Sequence, residues 1–272
     1  MSDIVSCQWL AAHMDCAILD CSWHLPSAKR DAKAEFVGGH IPGAQFFDID
    51  EIADTASPLP HMLPSSEMFA ARVGKLGVGD TTKVVVYDAA GLFSAARVWW
   101  MFKVFGHDDV AVLDGGLPKW KREGRPLAQK VEPARERHFT ARLRPEMVKA
   151  LADMRGASQI ADARSRPRFR GEEAEPRPGV RPGHIPGARN VHYASLLKAD
   201  GTLQGPDEIA AVFAAAGIDL ARPVITSCGS GVTAAILSLG LTLAGTQSHA
   251  LYDGSWAEWG AAKDTEVATG SN

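Results

Sequence analysis

Short runs led by Val and Ile alternate along this chain with longer stretches whose apolar positions recur every three or four residues. The first kind includes "VVVY" from Val84 and "VITS" from Val224; the second includes 66–75, 95–105 and 206–216. Four-residue runs rich in Val and Ile fit strands buried on both faces, and the recurring pattern fits amphipathic helices. In the second half the pattern predicts a helix over 145–154 opened by Pro145, a strand over 159–162, and a helix from Pro206 stopped by Gly217. A strand over 224–227, a helix over 232–244, a strand over 249–252 and a last helix over 255–261 follow. The first half runs in parallel. Strands alternating with helices define an α/β fold, a mostly parallel sheet flanked by helices.

The pattern occurs twice. "GHIPGA" around His40 returns letter for letter around His184. "AILDCSW" answers to "QIADARS", "KVVVYDAAG" to "RPVITSCGSG", and "LDGGLPKW" to "YDGSWAEW", in the same order. The repeat is far longer than the roughly 20–50 residues of a solenoid unit, so it marks a duplicated domain. The expected organisation is a first domain over 1–124, a polar, proline-punctuated linker over 125–144, and a second domain over 145–272.

Composition narrows the chemistry. With 46% hydrophobic and 22% charged residues and a net charge of -3, the chain has a globular balance and gives no electrostatic reason to bind nucleic acid. No apolar run approaches the ~18 residues that cross a bilayer, and the start of the chain lacks the pattern of a signal peptide. Cys7, Cys16, Cys21 and Cys228 show no CxxC spacing, so neither a metal site nor a redox pair is expected, and a cytoplasmic, reducing compartment is.

Cys228 has a setting that the other three cysteines lack. It ends a buried strand, and "GSGVT" carries the chain into a helix. Ligands of parallel sheets sit beyond the strand carboxyl ends. Glycines there let the backbone N–H groups of Gly229, Ser230, Gly231, Val232 and Thr233 turn inward as an anion cradle, and the following helix adds its free N–H groups. Such a loop favours a nucleophilic thiolate.

"CGSGVT" after a buried strand, "GHIPGA" in both halves and "YDGSW" at Tyr252–Trp256 together resemble the tandem rhodanese-domain sulfurtransferases, over essentially the whole chain. The resemblance implies two rhodanese-like domains. Only the second is catalytic, since Asp88 stands where Cys228 stands and cannot carry sulfur. The neutral Gly229 and Ser230 are similar to the loop of 3-mercaptopyruvate sulfurtransferases, whereas thiosulfate sulfurtransferases carry two cations there. A phosphatase of this fold would end a longer loop in arginine, and that position is Ala234. The resemblance further implies Arg168 and Arg177, from "RF" and "EPR", as ligands of the substrate carboxylate. It also implies a Ser230–His61–Asp50 relay, with His61 and Asp50 supplied by the first domain, so that the site is expected where the domains meet.

Spacing alone selects no binder among Arg164, Arg166, Arg168, Arg170, Arg177 and Arg181, most of which read as a solvated loop. The implied reaction needs no cofactor. Its implied partners are 3-mercaptopyruvate and, as acceptor, thioredoxin, a small thiol or cyanide. Two alternatives stand beside it: thiosulfate as the main donor, or a persulfide relay module without an α-keto acid site.

Overall fold

The computed structural model describes residues 1–271, which form two compact units. The first comprises Met1–Thr55, Leu63–Arg144 and Ala199–Leu203; the second comprises Ala56–Met62, Pro145–Lys198 and the chain from Gln204 onward.

In the first unit the elements follow as β1 (Ile4–Val5), α1 (Cys7–Ala12), β2 (Ala17–Asp20), α2 (Ala32–Gly38), β3 (Gln45–Phe46), α3 (Ser66–Lys75), β4 (Val84–Tyr87), α4 (Ala95–Val104), β5 (Val110–Leu113) and α5 (Gly116–Arg122). The strands form one parallel sheet in the order β1-β5-β4-β2-β3. All residues of β4 and β5 are buried, which is why their sequences read as unbroken apolar runs. Residues 125–144 contain no helix and lie along this unit. Arg137 N–H donates to Gly74 O at 3.0 Å, Arg142 N–H to Phe105 O at 2.9 Å, and Phe139 is buried beside Phe69 and Phe102. Gly74 is required at this crossing, because a Cβ there would stand 2.5 Å from Arg137 O.

The second unit repeats the plan: β6 (Val148–Lys149), α6 (Leu151–Met154), β7 (Ile160–Asp162), α7 (Arg166–Arg170), β8 (Arg189–Asn190), α8 (Pro206–Ala215), β9 (Val224–Ser227), α9 (Ala234–Leu243), β10 (His249–Tyr252) and α10 (Ser255–Trp259). Its parallel sheet has the matching order β6-β10-β9-β7-β8. Both units therefore have the expected α/β architecture.

The structure corrects three local expectations. The helix over 145–154 is broken into a 3-10 turn at Pro145–Met147, the edge strand β6, and the single turn α6. Val148 and Lys149 pair with Leu251 and Tyr252, and closing the sheet edge outweighs helix propensity. Helix α9 starts at Ala234, because Val232 and Thr233 stay in the turn that follows Gly231 at φ 76°. The arginine-rich stretch is not a plain loop. It contains α7, closed by Gly171 in the left-handed conformation at φ 75°.

The repeated "GHIPGA" histidines are structural. Nδ1 of His40 lies 2.8 Å from Phe36 O, and Nδ1 of His184 lies 2.8 Å from Phe169 O, each ring stacked on that same phenylalanine. Trp256 and Trp259 are buried in the core of the second unit. Among the described residues no helix is long and apolar enough to cross a membrane.

Candidate active site

Cys228 follows the last residue of β9 and is 2% exposed. Its loop is pinned to the start of α10. Cys228 N–H donates to Ser255 Oγ at 3.2 Å, and that hydroxyl donates to Tyr252 O at 2.8 Å. The carbonyls of Cys228 and Gly229 accept from Trp256 N–H and Ala257 N–H, each at 2.9 Å. Ser255 is held at φ 49°, a strained value for a residue with a Cβ, and its hydroxyl bridges the strand and the cysteine. The other cysteines are unsuited to thiolate chemistry. Burial pushes the thiols of Cys7, Cys16 and Cys21 up, and the Asp20 and Asp88 carboxylates push Cys21 further.

The matching loop of the first unit shows what this backbone can hold. One oxygen of the Asp88 carboxylate accepts from the N–H groups of Phe93, Ser94 and Ala95 at 2.7, 3.0 and 2.9 Å. The other accepts from Ala90 N–H at 2.9 Å. The loop is an anion cradle filled by its own side chain. In the same register, the second unit has Cys228 at the Asp88 place and Ser230, Thr233, Ala234 and Ala235 at the donor places.

Ser230 is buried, and its Oγ lies 3.2 Å from His61 Nδ1. His61 is buried too and sits at φ 60°, in the left-handed region. Sequence puts His61 in the first repeat, but residues 56–62 pack with the second unit, the one that carries Cys228. Asp50 belongs to the first unit, where its carboxylate accepts from Trp23 Nε1 at 2.9 Å.

The arginines divide by environment. Arg164 is fully buried. Its guanidinium donates to both oxygens of Asp162, to Glu175 Oε1 at 2.8 Å and to Gly183 O at 2.8 Å, and it stacks 4.5 Å from the Trp256 ring. Burial pulls its pKa down, but the Asp162 and Glu175 carboxylates outweigh that and hold it above the usual arginine value. Arg168, on α7, donates from Nη2 to Glu175 Oε2 at 2.5 Å. Its Nη2 stands 3.2 Å from where a Cβ on Gly229 would be, so the guanidinium lies against the Cys228 loop because Gly229 has no side chain. Arg177 is half-buried, two residues beyond Glu175. Arg181 ties the carbonyls of Gly260, Ala262 and Thr265 together. Arg170 is half-buried and pairs with Glu172 at 3.6 Å, while Arg166 is exposed.

Sequence reasoning passed over Glu175, Asp162 and Ser255. Asp162 had a signal, since Asp20 ends β2 at the equivalent place. Glu175 had only its place in "EPR", which does not show that folding sets it between two arginines.

A family model, the rhodanese-like domain, matches residues 6–123 and again 145–262. The chain belongs to that family and contains its domain twice. It is 46% identical to the 3-mercaptopyruvate sulfurtransferase of Homo sapiens over 271 residues, 94% of this chain and 91% of that protein. It is 44% identical to the protein of the same name from Escherichia coli K12, over 97% of this chain and 96% of the relative. The crystal structure of the Tum1 protein of Saccharomyces cerevisiae superposes with a TM-score of 0.92 at 32% identity, covering 99% of both chains.

Proposed function

We propose that this protein is a 3-mercaptopyruvate sulfurtransferase working through a persulfide on Cys228. The Cys228 thiolate attacks the sulfur of 3-mercaptopyruvate, and the carbon–sulfur bond breaks with its electron pair going to carbon. The resulting enolate takes the proton given up by the thiol and leaves as pyruvate. A thiol acceptor (thioredoxin or a small thiol) or cyanide then removes the outer sulfur and restores Cys228. Backbone donors of the loop, Ser230 and Thr233 among them, cradle the negative sulfur, as Ala90 and Phe93 at the matching places cradle the Asp88 carboxylate.

Arg168 and Arg177 bind the substrate carboxylate through charge-assisted hydrogen bonds. Ser230 and His61 polarise the keto oxygen and manage the enolate proton. In this reading 1–124 is the non-catalytic domain, 125–144 the linker and 145–272 the catalytic domain, acting in the cytoplasm.

The observation that carries the reading is the Arg168 guanidinium packed against Gly229, the neighbour of the nucleophile. It supplies a carboxylate partner where thiosulfate chemistry would ask for cations on the loop itself. Steady-state kinetics with both donors tests it: kcat/KM for 3-mercaptopyruvate is expected to exceed that for thiosulfate by at least about tenfold, the minimum worth of one charge-assisted hydrogen bond. A preference for thiosulfate would contradict the assignment.

A further inference from the structure

We infer that Glu175 is the positioning residue of the site: its carboxylate bridges Arg164 and Arg168 and so aims the Arg168 guanidinium at the substrate carboxylate beside Cys228. The inference rests on the reading of Arg168 as a substrate ligand.

The Glu175 side chain is 3% exposed and lies between two guanidinium groups, with Arg164 Nη1 at 2.8 Å and Arg168 Nη2 at 2.5 Å. The two arginines are held very differently. Arg164 is buried and commits four of its five N–H groups to Asp162, Glu175 and the Gly183 carbonyl, with its face on the Trp256 ring, so it serves as a fixed anchor. Arg168 has only Glu175 as an ionic partner among these groups, and its side chain is 21% exposed. Its Nε is buried without a hydrogen-bond partner. A buried charged donor left unpaired is costly, and the protein alone does not saturate the Arg168 fork. Glu175 thus holds one edge of the Arg168 fork and leaves another open.

The charges make the idea testable by sign. Asp162 and Glu175 balance Arg164 and Arg168, so the cluster as a whole exerts little net field on an anion. If substrate affinity came from net charge, Glu175→Gln would add one positive charge beside the site and lower KM for 3-mercaptopyruvate. If Glu175 aims Arg168, the same variant releases the guanidinium and raises KM.

The experiment is a double-mutant cycle of Glu175→Gln and Arg168→Ala, read as KM and kcat for 3-mercaptopyruvate with thermal melts as a folding check. Glu175→Gln is expected to raise KM about tenfold and to change kcat less than about threefold. In the Arg168→Ala background it should add nothing further, since there is no longer a fork to aim. A general structural role would instead add its cost in both backgrounds. An unchanged or lowered KM in Glu175→Gln, with Arg168→Ala impaired, overturns the inference alone. An unchanged KM in Arg168→Ala overturns the substrate reading and this inference with it. Should Glu175→Gln fail to fold, Glu175→Asp draws the carboxylate back by one methylene and is expected to raise KM; no rise overturns the inference.

Discussion

Asp88 and Cys228 occupy one position of a duplicated loop, and the difference between them separates a closed unit from a reactive one. The first-unit loop spends four backbone N–H groups on a carboxylate it carries itself. The second places the Cys228 sulfur at that position. Asp88→Ala should strand buried donors in the first unit. Hydrogen bonds to a charged group contribute about 1.5–3 kcal/mol net each, and water entering the emptied loop re-pairs part of the four donors, so a loss of about 3 kcal/mol is expected. For a chain of this size that lowers Tm by roughly 5 °C. Sulfate should restore part of the loss in the variant by filling the vacated cradle, an effect checked by melting curves with and without added sulfate. An unchanged Tm would show that the carboxylate is dispensable and the cradle analogy unfounded.

Among the elements, those with buried apolar runs were legible in the sequence. β4 is buried on both faces and β9 at all but Ile225, and both announced themselves by composition, as α3 and α8 did by their period. The short edge strand β6 was not legible, because two residues carry no periodicity and Val148 and Lys149 become a strand only by meeting Leu251 and Tyr252. Helix α7 was hidden for another reason. Its five residues, "RPRFR", contain one buried apolar side chain, Phe169, in a field of charge, and the arginines look alike until folding assigns them partners. The same limit governs the site. Cys228 stood out by its glycine setting, and family resemblance marked Arg168, Arg177, Ser230 and His61. Glu175 is defined by contacts with Arg164 and Arg168, and no linear pattern of acids and bases encodes which acid ends between which bases.

At the scale of the whole molecule, buried histidines make stability depend on pH. Burial pushes His249 down to about 4, and it also lowers His107, His184 and His192. His249 keeps one hydrogen bond, Nε2 to Thr242 Oγ1 at 2.9 Å, while its Nδ1 is buried without a partner. A histidine whose folded pKa lies below its unfolded value of 6.5 is fully tolerated above that pH. As pH falls below it the unfolded chain gains the proton first, so stability declines until the folded pKa is reached. His249 alone accounts for a loss of about 2 kcal/mol by pH 5 and about 3 kcal/mol at its limit. Denaturant unfolding at pH 7.5 and pH 5 should show the decline, and His249→Gln should flatten it. Equal slopes in the two proteins would place the titration elsewhere.

The central claim is that sulfur passes through Cys228, and peptide-resolved mass spectrometry after exposure to 3-mercaptopyruvate without acceptor tests it most directly. One added sulfur is expected on the Cys228 peptide, with pyruvate released in equal amount, and both are lost in Cys228→Ser, which keeps the fold but cannot hold a persulfide. Sulfur mapped to Cys7, Cys16 or Cys21, or pyruvate still released by Cys228→Ser, would contradict it.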